Sequence, residues 1–312
     1  MIDISHLPAV TTLAAPIFIV AVAWEWWAVK TGRANGAYET KDAISSLTMG
    51  LGNVAINTLT AMTFTWMMSL AWPYRFFELE VTWWSGLLCF VLYDFIYYWK
   101  HRLAHRARWW WMEHITHHSS RHYNFTTALR QPWFGPFTGL TLLGVPLSLL
   151  GFHPALVIMI GGLNLIYQFW VHTETVNKLP RWIEAVFNTP SHHRVHHAIN
   201  PRYLDTNFGG VFIIFDKWFG TFEPEREDEP PTYGIVKQLG SYNPLTIAYH
   251  EVIALIKDFA SDGLRPWRWV ARLVNPPGWS PDGNHMRSKE IKAAWRAEAS
   301  KQSSQTDPAT AD

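Results

Sequence analysis

Between Tyr93 and Arg130 the chain reads YDFIYYWKHRLAHRARWWWMEHITHHSSRHYNFTTALR. His101 and His105 are four residues apart, and His114, His117 and His118 follow at spacings of three and four. Positions i, i+3 and i+4 share one face of a helix, so each cluster turns its imidazoles to one side. Much later, SHHRVHH repeats the H-x-x-H-H spacing with His193, His196 and His197. If these boxes meet, segments far apart in the chain must fold onto one place, which few architectures allow. Neutral imidazole is the commonest metal ligand. The eight box histidines exceed what one tetrahedral zinc takes, which points to two metal ions. A histidine storage tract would be low in complexity, whereas these boxes lie among helix-forming and aromatic residues.

The boxes are set between apolar runs. Residues 8–28, 44–72 and 82–99 are each about the length a helix needs to cross a bilayer. Residues 135–151 and 153–171 are shorter, joined at Gly151-Phe152-His153-Pro154, and read as two crossings or a re-entrant hairpin. The first run has no basic segment before it and no clear cleavage site, so a span is expected rather than a signal peptide. Tryptophan, with 19 residues, flanks these runs as in Trp24-Glu25-Trp26-Trp27 and Trp83-Trp84, the pattern of an interfacial aromatic belt. Asn53 and Asn57, one turn apart in the second run, suit packing against other helices. The net charge of +1 gives no electrostatic case for a nucleic-acid partner. The lone Cys89 excludes an intramolecular disulfide framework and any zinc site needing two cysteines.

Lys and Arg crowd the segments after the first and third runs, while only Arg75 lies between the second and third. The positive-inside rule then puts all three boxes on the cytoplasmic side. The expected fold is all-α: a polytopic, multi-pass membrane helical bundle with a cytosolic helical cap carrying the boxes. Asp94, two turns before His101, is expected to orient a ligand histidine through its second ring nitrogen, or else to pair with Arg102 or Arg106. His6, His122, His153, His192, His250 and His285 fall outside the box pattern.

The boxes H-x3-H, H-x2-HH and H-x2-HH, set among hydrophobic spans, resemble the fatty acid hydroxylase/sterol desaturase superfamily of integral-membrane di-iron enzymes. HITHHSS, YNFTTALRQ, QFWVHTE, and FNTPSHHRVHH with its following Asp-Thr-Asn-Phe-Gly-Gly are similar to the alkylglycerol monooxygenase branch. The resemblance implies nine ligands: His101, His105, His114, His117, His118, His172, His193, His196 and His197. Some fatty acid hydroxylases carry a further histidine four residues before His172, where this chain has Gln168. Gln168 is expected to contact the site or orient a metal-bound water, and a helix-end carbonyl or Glu174 to fix the His172 ring. No catalytic residue beyond the ligands is expected.

The resemblance further implies an O2-dependent lipid monooxygenase with two iron ions (Fe2+/Fe3+), hydroxylating a C–H bond of a membrane lipid. Tetrahydrobiopterin or another separate electron donor would supply electrons, since the chain carries no Rossmann fingerprint or ferredoxin cysteine pattern. The resemblance covers about residues 85–222, a catalytic region; composition sets beside it an N-terminal transmembrane region (1–84), a cytosolic or interfacial lobe (223–287) and a polar, disordered tail (288–312). Two other readings stand beside it. One is a sterol or carotenoid oxidase or desaturase with the same metal site. The other is a non-redox membrane metal-binding or transport protein, which should show ionisable residues in mid-span and inverted repeats.

Overall fold

The chain starts with two long apolar helices, α1 (Val10–Lys30) and α2 (Thr40–Ala71). Their outward faces carry exposed Leu13, Ile17, Val20, Leu51, Val54, Met62 and Trp66, an apolar surface that is costly to leave in water and suits contact with lipid. The structure, a computed structural model, describes residues 10–306; His6 lies outside them. Glu39 opens α2 by accepting from the backbone N–H groups of Lys41 at 3.1 Å and Asp42 at 2.7 Å, two donors that a helix start leaves unpaired. α3 (Trp83–Arg106) begins on a Thr82/Ser85 capping box and runs without interruption from the third apolar run into the first histidine box. α4 (Arg108–His118) carries the second box, and α5 (Phe125–Ala128) is a single turn after it.

Residues 135–151 do not form a crossing helix. They fold as α6 (Gly135–Thr138), a 3-10 turn (Leu140–Gly144) and α7 (Pro146–Leu149). Pro136 and Pro146 sit at the starts of the two short helices, and Gly139 between them has a φ of 72°; these residues interrupt the helix. Gly151 turns the chain back at a φ of 101°, with Phe77 O only 2.2 Å from where a Cβ would stand. The continuous α8 (Pro154–Trp170) follows, capped by His153, whose Nδ1 accepts from Ala155 N at 3.2 Å. The pair is a hairpin with one broken limb. Among the described residues two helices, Val10–Lys30 and Thr40–Tyr74, are long and apolar enough to cross a membrane. The five crossings, or three plus a hairpin, read from composition are therefore more than the helices show. Met68, Cys89, Leu147, Phe152, Leu156 and Val157 form the main apolar core between α2, α3, α7 and α8, and Cys89 is the buried small hydrophobe its setting implies.

The rest of the chain is also helical: α9 (Arg181–Val186), α10 (Pro190–His196) with the third box, α11 (Ile214–Trp218), α12 (Pro244–Asp262), α13 (Pro266–Val274) and α14 (Ser288–Thr306). Arg108 donates to Glu251 at 2.6 Å and to Asp258, fastening α12 to the start of α4. α13 leaves Trp267, Val270 and Val274 exposed along one face, the amphipathic pattern of a helix on a membrane surface. The tail expected to be disordered is helical as far as Thr306; Arg202 stacks over the Trp295 ring at 4.8 Å. Its Ala, Glu and Lys content favours helix without a wide apolar stripe.

Candidate metal centre

All nine histidines singled out above are brought together, in two adjoining groups. His101, His105, His114, His118 and His196 form the first, and His117, His172, His193 and His197 the second; within each, one ring nitrogen per residue lies within 4.8 Å of all the others. The division follows from helix geometry. Residues four apart lie closest to one face, so His101/His105 and His114/His118 enter the first group as pairs, and His193/His197 enters the second. The i+3 residue of each H-x-x-H-H box is rotated away and crosses over: His117 joins the second group and His196 the first. The boxes thus interlock, and neither group includes a carboxylate.

Ring tautomers follow from what faces the outer nitrogen, since a carbonyl can only accept. Nδ1–H of His101 donates to Phe208 O at 2.8 Å, that of His196 to Thr206 O at 2.9 Å, and that of His172 to Gln168 O at 2.7 Å. Their Nε2 atoms therefore carry lone pairs. These point at other ring nitrogens: His101 Nε2 is 2.8 Å from His114 Nε2, His196 Nε2 is 3.1 Å from His118 Nε2, and His172 Nε2 is 3.0 Å from His117 Nε2 and 3.1 Å from His193 Nε2. Nε2 of His105 and of His197 is buried with no hydrogen-bond partner. Converging lone pairs and orphaned buried acceptors fit one shared cation in each group. Burial first, then the neighbouring rings, holds His101, His114, His117, His118, His193, His196 and His197 well below the ordinary imidazole value, and burial takes His172 down to about 3. The rings are thus neutral and ready to ligate.

The expected helix-end carbonyl does hold the His172 ring, and Gln168 borders the same cavity, but Asp94 and Glu174 serve elsewhere. Asp94 touches no histidine and neither Arg102 nor Arg106. Its carboxylate accepts from Val211 N at 2.9 Å, Phe212 N at 2.8 Å and the Asn164 amide at 2.7 Å. It straps down the loop whose Phe208 carbonyl orients His101. Gly210 permits this approach, since a Cβ there would stand 2.5 Å from Asp94 Oδ1. Gln168 orients His172 through its backbone carbonyl, while its side chain donates to Asn164 at 2.5 Å. Glu174 does not reach the His172 ring; it accepts from Tyr233 OH at 3.0 Å.

Sequence reasoning missed Asp205, whose carboxylate meets His105 Nδ1 at 3.3 Å. Burial raises the Asp205 carboxyl, but His105 and Arg106 more than offset this and leave it below its usual value. Asp205 and Asn207 have φ of 53° and 57°, a left-handed conformation that Asp and Asn tolerate better than most residues. This turn aims the Thr206 and Phe208 carbonyls at the two rings. Asp216 braces it by accepting from Phe208 N at 2.8 Å and Gly209 N at 2.7 Å. The signal was present in Asp-Thr-Asn-Phe-Gly-Gly but carried no visible role. His192 stays outside both groups, its Nδ1 3.2 Å from Phe187 O.

A cavity of about 280 Å³ adjoins both groups, with His101 and His114 of the first and His117 and His172 of the second in its wall. Phe18, Leu129, Leu140, Leu165 and Phe169 form its apolar side, between α1, α2 and α8.

Residues 86–221 match the fatty acid hydroxylase family. The human alkylglycerol monooxygenase is 35% identical over 286 residues, covering 89% of this chain and 62% of that protein. The Caenorhabditis elegans alkylglycerol monooxygenase is 40% identical over 215 residues, 65% of this chain and 42% of its own length. The ornithine lipid hydroxylase OlsE of Rhizobium tropici is 28% identical over 191 residues, 61% of this chain and 54% of that protein. The chain thus spans about half the length of the relatives it matches. No solved structure matches it significantly. With all nine clustered histidines inside the matched stretch, residues 86–221 belong to the fatty acid hydroxylase family.

Proposed function

We propose that the protein is an integral-membrane di-iron monooxygenase that hydroxylates a C–H bond of a lipid with O2 and electrons from outside the chain. The observation that carries this reading is the pair of all-imidazole groups opening onto a cavity with an apolar wall. The names of the relatives, alkylglycerol monooxygenase and ornithine lipid hydroxylase, point the same way. Nitrogen ligation with no thiolate suits iron, though affinity alone separates iron from zinc poorly. The first iron would be held by His101, His105, His114, His118 and His196, and the second by His117, His172, His193 and His197. Two irons bound there would supply oxygen activation.

The chain's own residues do the rest. Phe18, Leu165 and Phe169 form the apolar wall against which a lipid chain would lie, with Phe18 stacked on Phe169 between α1 and α8. Carbonyls 206, 208 and 168 hold three rings in one tautomer. The apolar wall keeps bulk water away from the reacting carbon, and orientation of the chain against the histidines sets which carbon reacts. Electrons come from tetrahydrobiopterin or another separate donor. The basic-residue asymmetry supports a centre on the cytoplasmic face of a multi-pass protein.

Lipid extracts of a host with and without the gene, compared by mass spectrometry, test this. A lipid class gaining one oxygen only when the gene is intact is expected. Loss of two hydrogens without added oxygen would instead identify a desaturase.

A further inference from the structure

The cavity holds two charged side chains that the ligand shells do not use. Lys100 immediately precedes His101 on α3, Glu113 immediately precedes His114 on α4, and both line the cavity. They form no direct ion pair, and the Lys100 side chain makes no hydrogen bond among the described residues; burial pushes the Lys100 ammonium down and the Glu113 carboxyl up, each partly offset by the other's charge. Glu113 accepts only from Thr138 OH, at 2.5 Å. Asn57 reaches the same cavity, also without a hydrogen bond. A buried charge is costly unless it is paired and hydrogen-bonded, and here one cation and one anion border the same space, each short of a partner. A ligand with only dipoles would leave both groups without a direct ionic contact, and one of a single charge would leave one so. A ligand carrying one anion and one cation completes both.

We propose that Lys100 and Glu113 are a specificity-determining pair that binds a zwitterionic lipid headgroup, the anionic part on Lys100 and the cationic part on Glu113, with Asn57 as a further hydrogen-bonding group. This rests on the reading of the cavity as the lipid site of a hydroxylase. It adds to that reading a net-neutral, doubly charged head as the recognised chemistry.

The test uses the detergent-purified full chain and three single-chain lipids with the same acyl chain: a phosphoethanolamine head (zwitterion), a phosphoglycerol head (anion) and a glycerol head (neutral). Retention of each is measured by competition in native mass spectrometry. The wild type is expected to retain the zwitterion about tenfold better than either of the others, the discrimination that charge-assisted hydrogen bonds provide. Lys100→Met should bring the zwitterion down to the neutral lipid. Glu113→Gln, close to isosteric and a safeguard should Lys100→Met fail to fold, should bring it down to the anion. Equal retention of the three heads by the wild type, or a preference that survives both substitutions, would overturn the proposal. Oxygen gain is scored separately on the same lipids. Oxidation without head preference removes this proposal and keeps the hydroxylase; head preference without oxidation of any lipid keeps the recognition and removes the hydroxylase.

Discussion

His172→Ala is expected to lower turnover by more than about a hundredfold while expression and membrane insertion stay near normal. His172 belongs to no histidine box, yet it lies centrally in the second group, its Nε2 within 3.1 Å of both His117 and His193. Its position just past the end of α8 explains how one residue outside a motif is delivered to the site: the Gln168 carbonyl, exposed in the last turn, takes its Nδ1–H. Removing the ring leaves His117, His193 and His197, three donors where there were four, so the second metal should be lost or loosely held and the first retained. Gln168→Ala should be much milder, because the backbone carbonyl that holds His172 survives the substitution. Turnover and metal content measured on both purified variants check this. A His172→Ala protein that keeps most of its activity and both metals would remove His172 from the ligand set.

Asp94→Ala is expected to destabilise the protein by about 3–5 kcal/mol. The carboxylate is fully buried, and the substitution strands the N–H groups of Val211 and Phe212 together with the Asn164 amide. The freed loop carries the Phe208 carbonyl, so the His101 ring loses its orientation and metal affinity should fall about tenfold to a hundredfold. Asp94→Asn keeps one acceptor oxygen and should recover part of both losses. Thermal unfolding in detergent reads the stability, and metal titration reads the affinity. Unchanged metal affinity in a destabilised Asp94→Ala protein would separate the loop from the metal centre.

These two residues mark what could and could not be read from the chain. The histidines were legible because metal ligation imposes a residue type and helices impose a spacing, and the i+3 crossover of His117 and His196 is that same spacing seen in three dimensions. The role of Asp94 was not legible. Two of its three donors are backbone N–H groups of a loop more than a hundred residues away, and a backbone donor leaves no mark in a sequence. The carbonyls of Thr206 and Phe208 were hidden for the same reason. Apolar length left two crossings and a hairpin open for residues 135–171; residues 135–151 are apolar enough to cross, but Pro136, Gly139 and Pro146 break the helix. Polarity misled in the opposite direction at Ser288–Thr306, where helix propensity mattered more than amphipathicity.

Two metal ions are expected to sit side by side, one in the five-histidine group and one in the four-histidine group. Metal analysis of protein purified without oxygen from iron-replete cells, with iron X-ray absorption on the same sample, tests this arrangement most directly. About two irons per chain, with a nitrogen-dominated ligand shell free of sulfur, are expected. One tightly held metal per chain, with half of the clustered histidines unligated, would contradict it.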